Sequence, residues 1–170
     1  MKVNVDINRT DLVWMNLYVA YKAPSNVSFV LFIWFGMSGM YFYKKGLSQP
    51  ASQIAEQLLH NAGIALAVAI AMILLSIFLT VLSSTRKAGV LGDHEYNLKD
   101  DGLLEITDAN ETLVKWSSIK SILKSKRFIL VQINWYLFHT LPSRCFSSTD
   151  EFEEFYTKIQ QRVNASNNAN

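Results

Sequence analysis

The stretch from Gly63 to Leu82 reads GIALAVAIAMILLSIFLTVL and carries no charged residue. It lies inside a longer uncharged window that runs from Gln57 to Thr85. A helix that is apolar on every face for this long is hard to bury in a small soluble domain and suits the hydrocarbon of a bilayer. Towards the N-terminus, the 21 residues between Lys22 and Lys44, APSNVSFVLFIWFGMSGMYFY, are also uncharged, and they are apolar and aromatic from Val27 onward. At about 1.5 Å per residue this second stretch just crosses a core of about 30 Å. Pro24 and Ser25 suit a helix entry, and Tyr41 and Tyr43 fall where an aromatic belt forms. These windows are expected to be membrane spans at residues 25–43 and 58–83, within a two-helix transmembrane hairpin over residues 25–86.

The rest of the composition follows from that segregation. Half of the 170 residues are hydrophobic and 18% are charged, so the charges crowd into the segments outside the two windows. A net charge of +2, dispersed along the chain, is too weak to steer nucleic acid, and none is expected as a partner. Cys145 is the single cysteine, which excludes an intramolecular disulfide and a cysteine-based zinc site. The segment ahead of the first span is too long and too polar for a cleaved signal peptide, so both spans are expected to persist. Arg9, Lys22, Arg86, Lys87 and Lys99 flank one side of the spans, and Lys44 and Lys45 flank the other. Basic residues favour the cytoplasm, so both termini are expected there. No acidic residue lies within either span, which argues against ion-coupled transport. His60, near the interface, reads as structural. Gly63, Ala67 and Ala71 recur every four residues and Gly36 and Gly39 offer a similar patch, so the two spans are expected to pack through these small faces. A homo-oligomer through the same stripe is the alternative.

Outside the spans the pattern shortens. Val3, Val5 and Ile7 alternate with polar residues as in a strand, and TDLVWMNLYVAY follows as an amphipathic helix capped by Thr10, with Trp14, Leu17, Tyr18 and Tyr21 on one face. Residues 1–24 thus form an N-terminal strand and helix. From Asp93 onward EYNL, LLEIT, TLVKW, RFILVQI and WYLFHTL read as five strands of an antiparallel meander, with turns at DDG and DAN. SSTDEFEEFYTKIQQRV carries a capping box from Ser148 to Glu151 and sets Phe152, Phe155, Tyr156 and Ile159 on one face of a helix. The fold class is therefore membrane α plus α+β: a hairpin of spans, then a small sheet domain over residues 89–163, capped by a C-terminal helix, with a disordered tail at 164–170. So small a sheet needs that helix, and Val3 to Ile7, to complete its core.

The wording of this region is more specific than its outline. GDHEYNLKDDGLLEITDANETLVKWSSIKSIL from Gly92, and FILVQINWYLFHTLPSRCFSSTDEFEEFYTKI from Phe128, resemble the YcxB-like family of bacterial membrane proteins. Gly92 and His94, Asp101 to Leu103, Trp116, Ser117 and Ile119, and Leu141, Pro142, Arg144 and Phe146 stand at the family's motif positions. The resemblance runs from Leu12 to Ile159. It implies a bacterial inner-membrane protein with two spans and a cytoplasmic domain of the pleckstrin-homology-like kind, and it implies no activity.

No residue set here points to catalysis. In Asp93, His94 and Glu95 neighbouring side chains of a strand face opposite ways, so the three do not converge on a metal. Asp100 and Asp101 read as turn residues, His139 as a satisfied, half-buried strand residue, and Cys145 as inert. No hydrolase, phosphate-loop or zinc-protease motif is present. No cofactor, no metal and no enzymatic activity are expected. The one charge cluster is Lys115, Lys120, Lys124, Lys126 and Arg127. Lys120, Lys124, Lys126 and Arg127 are the residues expected to touch anionic lipid headgroups or a protein partner, each basic group near the surface contributing about 1 kcal/mol. The expected function is a membrane-anchored binding module acting as scaffold or regulator. An immunity protein against a membrane-acting toxin is the second reading.

Overall fold

The computed structural model describes residues 1–46, 48–85, 89–134 and 137–168. The chain divides into two units, Asn16–Leu82 and a second made of Met1–Met15 with Ser83–Asn170.

The second unit joins segments from either side of the first. Strand β1 (Lys2–Ile7) buries Val3, Val5 and Ile7 and exposes the residues between them, the period-2 pattern of a half-buried strand. It pairs antiparallel with β2 (Gly92–Leu98), placing Val5 opposite His94 and Ile7 opposite Gly92. Strands β3 (Gly102–Thr107) and β4 (Glu111–Lys115) continue that sheet in the order β1-β2-β3-β4. Gly102 is required here, because a Cβ on it would lie 2.3 Å from the backbone oxygen of Val114 on the neighbouring strand. A short 3-10 turn, Trp116–Ser118, ends β4. Beyond it β5 (Ser121–Lys124), β6 (Phe128–Gln132) and β7 (Phe138–Pro142) form a second antiparallel sheet.

The expected five-strand meander is thus seven strands in two sheets among the described residues. One extra strand comes from before the spans. The other, β5, was hidden because three half-buried residues between Lys120 and Lys124 read as a connection. Phe128 to Val131 are all buried, so β6 shows no alternation and is covered on both faces. Trp135 and Tyr136 of the expected strand WYLFHTL lie outside the described residues.

Helix α4 (Thr149–Asn168) buries Phe152, Phe155, Ile159 and Val163. Phe146 meets Phe152 and Phe155 edge-on at 5.2 and 5.5 Å between ring centroids. The expected capping box forms: Ser148 Oγ accepts the Glu151 N–H at 3.1 Å, and Glu151 Oε2 accepts the Ser147 N–H at 2.7 Å. The helix continues through Asn168, so residues 164–168, expected as disordered tail, are helical. Adding a residue to a formed helix is far cheaper than nucleating one. Helix α1 (Arg9–Lys22) starts one residue before Thr10, because Asn8 caps it. Asn8 Oδ1 accepts the Asp11 N–H and Asp11 Oδ2 accepts the Asn8 N–H, both at 3.0 Å. Of its residues only Leu12 is buried; Trp14, Leu17 and Tyr21 of the expected apolar face stay exposed.

The other unit holds α2 (Pro24–Lys45) and α3 (Ala51–Ser83), both long and apolar enough to cross a membrane. Helix α3 starts at Ala51, earlier than the expected residue 58, and turns half of the stretch between the expected spans into helix. The two helices meet through polar contacts: Trp34 Nε1 donates to the Leu58 carbonyl at 2.9 Å, and Asn61 Nδ2 donates to Ser38 Oγ at 3.2 Å. Tyr41 hydroxyl donates to Gln49. On α3 the buried residues are Asn61, Ala65, Ala69 and Ile77. Gly63, Ala67 and Ala71, expected to pack the spans together, are exposed. At about 100° per residue, the two-residue offset between these stripes puts them on opposite sides of the helix. Gly36, Gly39 and Gly63 each have nothing within 4 Å of where a Cβ would sit, so none marks a close helix approach. Large apolar side chains cover the outside, with Phe32 at 77% and Leu59 at 76% exposure.

Candidate functional site

A polar cluster sits in the core of the β unit. β2 points His94 and Tyr96 inward, β3 points Glu105 inward, and β7 of the other sheet points His139 inward. Glu105 accepts from all three. His94 Nδ1 lies 2.9 Å from Oε1, His139 Nδ1 lies 3.2 Å from Oε2, and the Tyr96 hydroxyl donates to Oε1. Burial alone would raise the carboxyl of Glu105, but the hydrogen bonds from His139, His94 and Tyr96 outweigh it and hold the group well below the usual carboxylate range. The Tyr96 phenol is pushed up by burial and by the neighbouring Glu105 charge. Nε2 of each histidine is buried without a hydrogen-bond partner.

This arrangement corrects the expectation for His139, which is buried rather than half-exposed and is satisfied at one nitrogen only. For His94 the strand alternation holds: it faces inward, while Asp93 and Glu95 face out and Glu95 pairs with Lys2 at 2.8 Å. Both histidines spend Nδ1 on one carboxylate, so the cluster ties the two sheets together.

The motif residues sort in the same way. Gly92 has φ of 100°, a conformation that favours glycine. Trp116 is buried, and its Nε1 donates to the carbonyls of Lys99 and Asp100 at 3.2 and 3.1 Å, closing the β2–β3 turn. Arg144, in the 3-10 turn Ser143–Cys145, donates to the Asp6 carbonyl and to Asp11 Oδ2, the latter at 2.6 Å. The hydrogen bond to Asp11 raises its already high pKa further. It fastens the end of β1 and the start of α1 to the rest of the unit. These residues keep the fold.

The basic cluster is different, because it faces outward. Lys120 lies just before β5 and Lys124 at its end, about 13 Å apart for a strand. Lys126 and Arg127 occupy the β5–β6 turn, whose backbone N–H groups at Arg127 and Phe128 donate to Ser125 Oγ. The structure therefore brings together Lys124, Lys126 and Arg127 and leaves Lys120 apart. Lys124 pairs with Glu153 at 2.5 Å and lies over the Tyr156 ring at 4.5 Å. Arg127 stacks on Trp14 at 4.1 Å. Among the described residues the ammonium of Lys126 makes no ion pair or hydrogen bond.

Beside this turn is a cavity of about 510 Å³, whose lining includes Lys124, Lys126, Ser143, Arg144, Thr149 and Glu153. Sequence reasoning found the two lysines as a run of charge. It missed Arg144 as their neighbour, since β6 and β7 separate them in the chain. Its signal was the LPSRCF motif, which placed an arginine at a turn.

The comparisons bear on the β unit. Residues 98–159 match the family model described as YcxB-like protein. No curated protein and no solved structure matches the chain. The match begins at the last residue of β2 and ends within α4, covering less of the chain than the resemblance read from the sequence. It takes in Glu105, His139, Trp116, Arg144 and the basic turn, so this chain carries a YcxB-like domain over residues 98–159.

Proposed function

We propose that the chain is a non-enzymatic, multi-pass protein of the bacterial inner membrane, with both termini cytoplasmic. On this reading α2 and α3 anchor a pleckstrin-homology-like domain, which binds anionic lipid headgroups through its basic β5–β6 turn and acts as a scaffold or regulator. The observation that carries this reading is the pairing of β1 with β2. Those strands flank the apolar hairpin in the chain yet lie side by side in one sheet. If the hairpin crosses a bilayer, it must do so an even number of times, and the folded domain is tethered at both ends. The exposed phenylalanines and leucines of α2 and α3 support the crossing, since water would penalise them and lipid does not. The order of four strands, three strands and a closing helix supports the domain class.

Tethering matters energetically. The eight residues 84–91 between α3 and β2 reach at most about 30 Å, so the domain stays at high effective concentration near lipid. Cationic groups held there gain about 1 kcal/mol each against an anionic leaflet. The test uses the intact protein in nanodiscs. Amide hydrogen exchange in the turn 125–127 should slow in discs containing phosphatidylglycerol relative to phosphatidylcholine discs. High salt should abolish the difference. Equal exchange in both discs at low salt overturns the lipid reading in favour of a protein partner.

A further inference from the structure

We propose that the cavity between the β5–β6 turn, the 3-10 turn Ser143–Cys145 and the start of α4 is a binding site for a phosphomonoester. This deepens the lipid-headgroup reading and rests on it. Its volume of about 510 Å³ falls within the range of about 300–1,000 Å³ that small-molecule sites occupy. Three cationic side chains line it, each delivered by a different segment: Lys124 from β5, Lys126 from the turn and Arg144 from the 3-10 turn.

Their states differ in a way that suits an anion. Arg144 is held by the Asp6 carbonyl and Asp11 through one guanidinium nitrogen, so the group is fixed in place with N–H donors left over. Lys124 is matched to Glu153, the one carboxylate among the lining residues. The Lys126 charge has no counterpart among the described residues. Hydroxyls add neutral donors, since Ser148 Oγ accepts the Glu151 N–H and keeps its own O–H to give, and Thr149 lies beside it. Phe146 and Phe152 supply an apolar wall for whatever carries the anion. A phosphomonoester brings close to two negative charges and three terminal acceptor oxygens, which matches a site with surplus cations and several separate donors. A phosphodiester brings one charge and two such oxygens, and satisfies less of it.

The experiment places the full-length protein in phosphatidylcholine nanodiscs and follows hydrogen exchange at residues 124–127 and 143–153. One arm adds inorganic phosphate at constant ionic strength. Two others replace part of the lipid by phosphatidic acid, a phosphomonoester, or phosphatidylglycerol, a phosphodiester. Saturable slowing with phosphate or phosphatidic acid is expected, weakened about tenfold by Lys126→Ala and unchanged by Lys120→Ala, which lies outside the cavity. Slowing by phosphatidic acid alone makes the source a lipid headgroup, and slowing by free phosphate makes it a soluble ester. If phosphatidylglycerol acts as well as phosphatidic acid and both alanine variants weaken it equally, the cavity proposal fails while the surface reading stands. If no anionic arm has any effect, both fail.

Discussion

His139 on β7 lies 3.2 Å from Glu105 on β3, a buried polar contact that joins the two sheets. The same carboxylate also takes His94 and Tyr96 from the first sheet, so one side chain satisfies donors from both layers. Removing it leaves those donors buried and unpaired, at about 1–3 kcal/mol each.

The first prediction concerns acid. An unfolded glutamate titrates near about pH 4.3, whereas Glu105 is held lower in the folded chain. A depressed carboxylate contributes stability that is present above the unfolded value and drains away as pH falls below it. The full-length protein in detergent should therefore lose thermal stability progressively from about pH 5 downward. Glu105→Gln should cost about 1–3 kcal/mol at neutral pH, because one acceptor oxygen becomes a donor facing a histidine N–H. It should also flatten the acid limb. A variant as stable as the parent at neutral pH, with the same acid limb, would show that the cluster holds nothing together.

Two glycines give a second, paired prediction. A Cβ at Gly102 would collide with the backbone of Val114, which a neighbouring strand cannot easily move. Gly102→Ala should lower stability by about 1–3 kcal/mol, as overpacking does. Gly63 has nothing within 4 Å, so Gly63→Ala should leave the melt unchanged. The comparison is a pair of thermal unfolding curves, and equal midpoints for the two variants would contradict the packing at Gly102. If Gly63→Ala alters the oligomeric state while the melt stays put, its exposed face is occupied by another copy.

What the sequence disclosed, and what it hid, divides by range. Val3, Val5 and Ile7 announced a strand because alternation is local, and Phe152, Phe155 and Ile159 announced the capping helix for the same reason. Ser121 to Lys124 gave no such sign, being too short to show a period and having no fully buried residue. The packing stripe on α3 was misassigned because Gly63–Ala67–Ala71 and Ala65–Ala69 are equally small. Burial of Ala65 and Ala69, on the face from which Asn61 donates to Ser38 of α2, decides between them. Glu105, within LLEIT, drew no separate reading from the sequence. Its inward position follows from the alternation of β3, but its partner His139 comes from the last strand and the other sheet. The cavity was half legible for the same cause: Lys124 and Lys126 are neighbours in the chain, and Arg144 joins them only in the fold.

The last prediction tests the anchoring through Cys145, the single cysteine. It is half-buried beside Arg144 in the 3-10 turn, within the unit to which β1 and β2 both belong. Because β1 precedes α2 and β2 follows α3, that unit can form on one side of a membrane only if α2 and α3 cross as a pair. On the proposed topology, the side carrying Arg9, Lys22, Arg86, Lys87 and Lys99 is the cytoplasmic one, opposite Lys44 and Lys45. A membrane-impermeant maleimide applied to intact spheroplasts should leave Cys145 unlabelled, and the same reagent after detergent permeabilisation should label it. A cysteine placed at Gln49, in the short connection between α2 and α3, should give the reverse, reacting in intact spheroplasts. Labelling of Cys145 in intact cells, with Gln49→Cys silent, would invert the orientation. Equal labelling at both sites would show that the hairpin does not cross at all, and the lipid reading of the basic turn would lose its anchor.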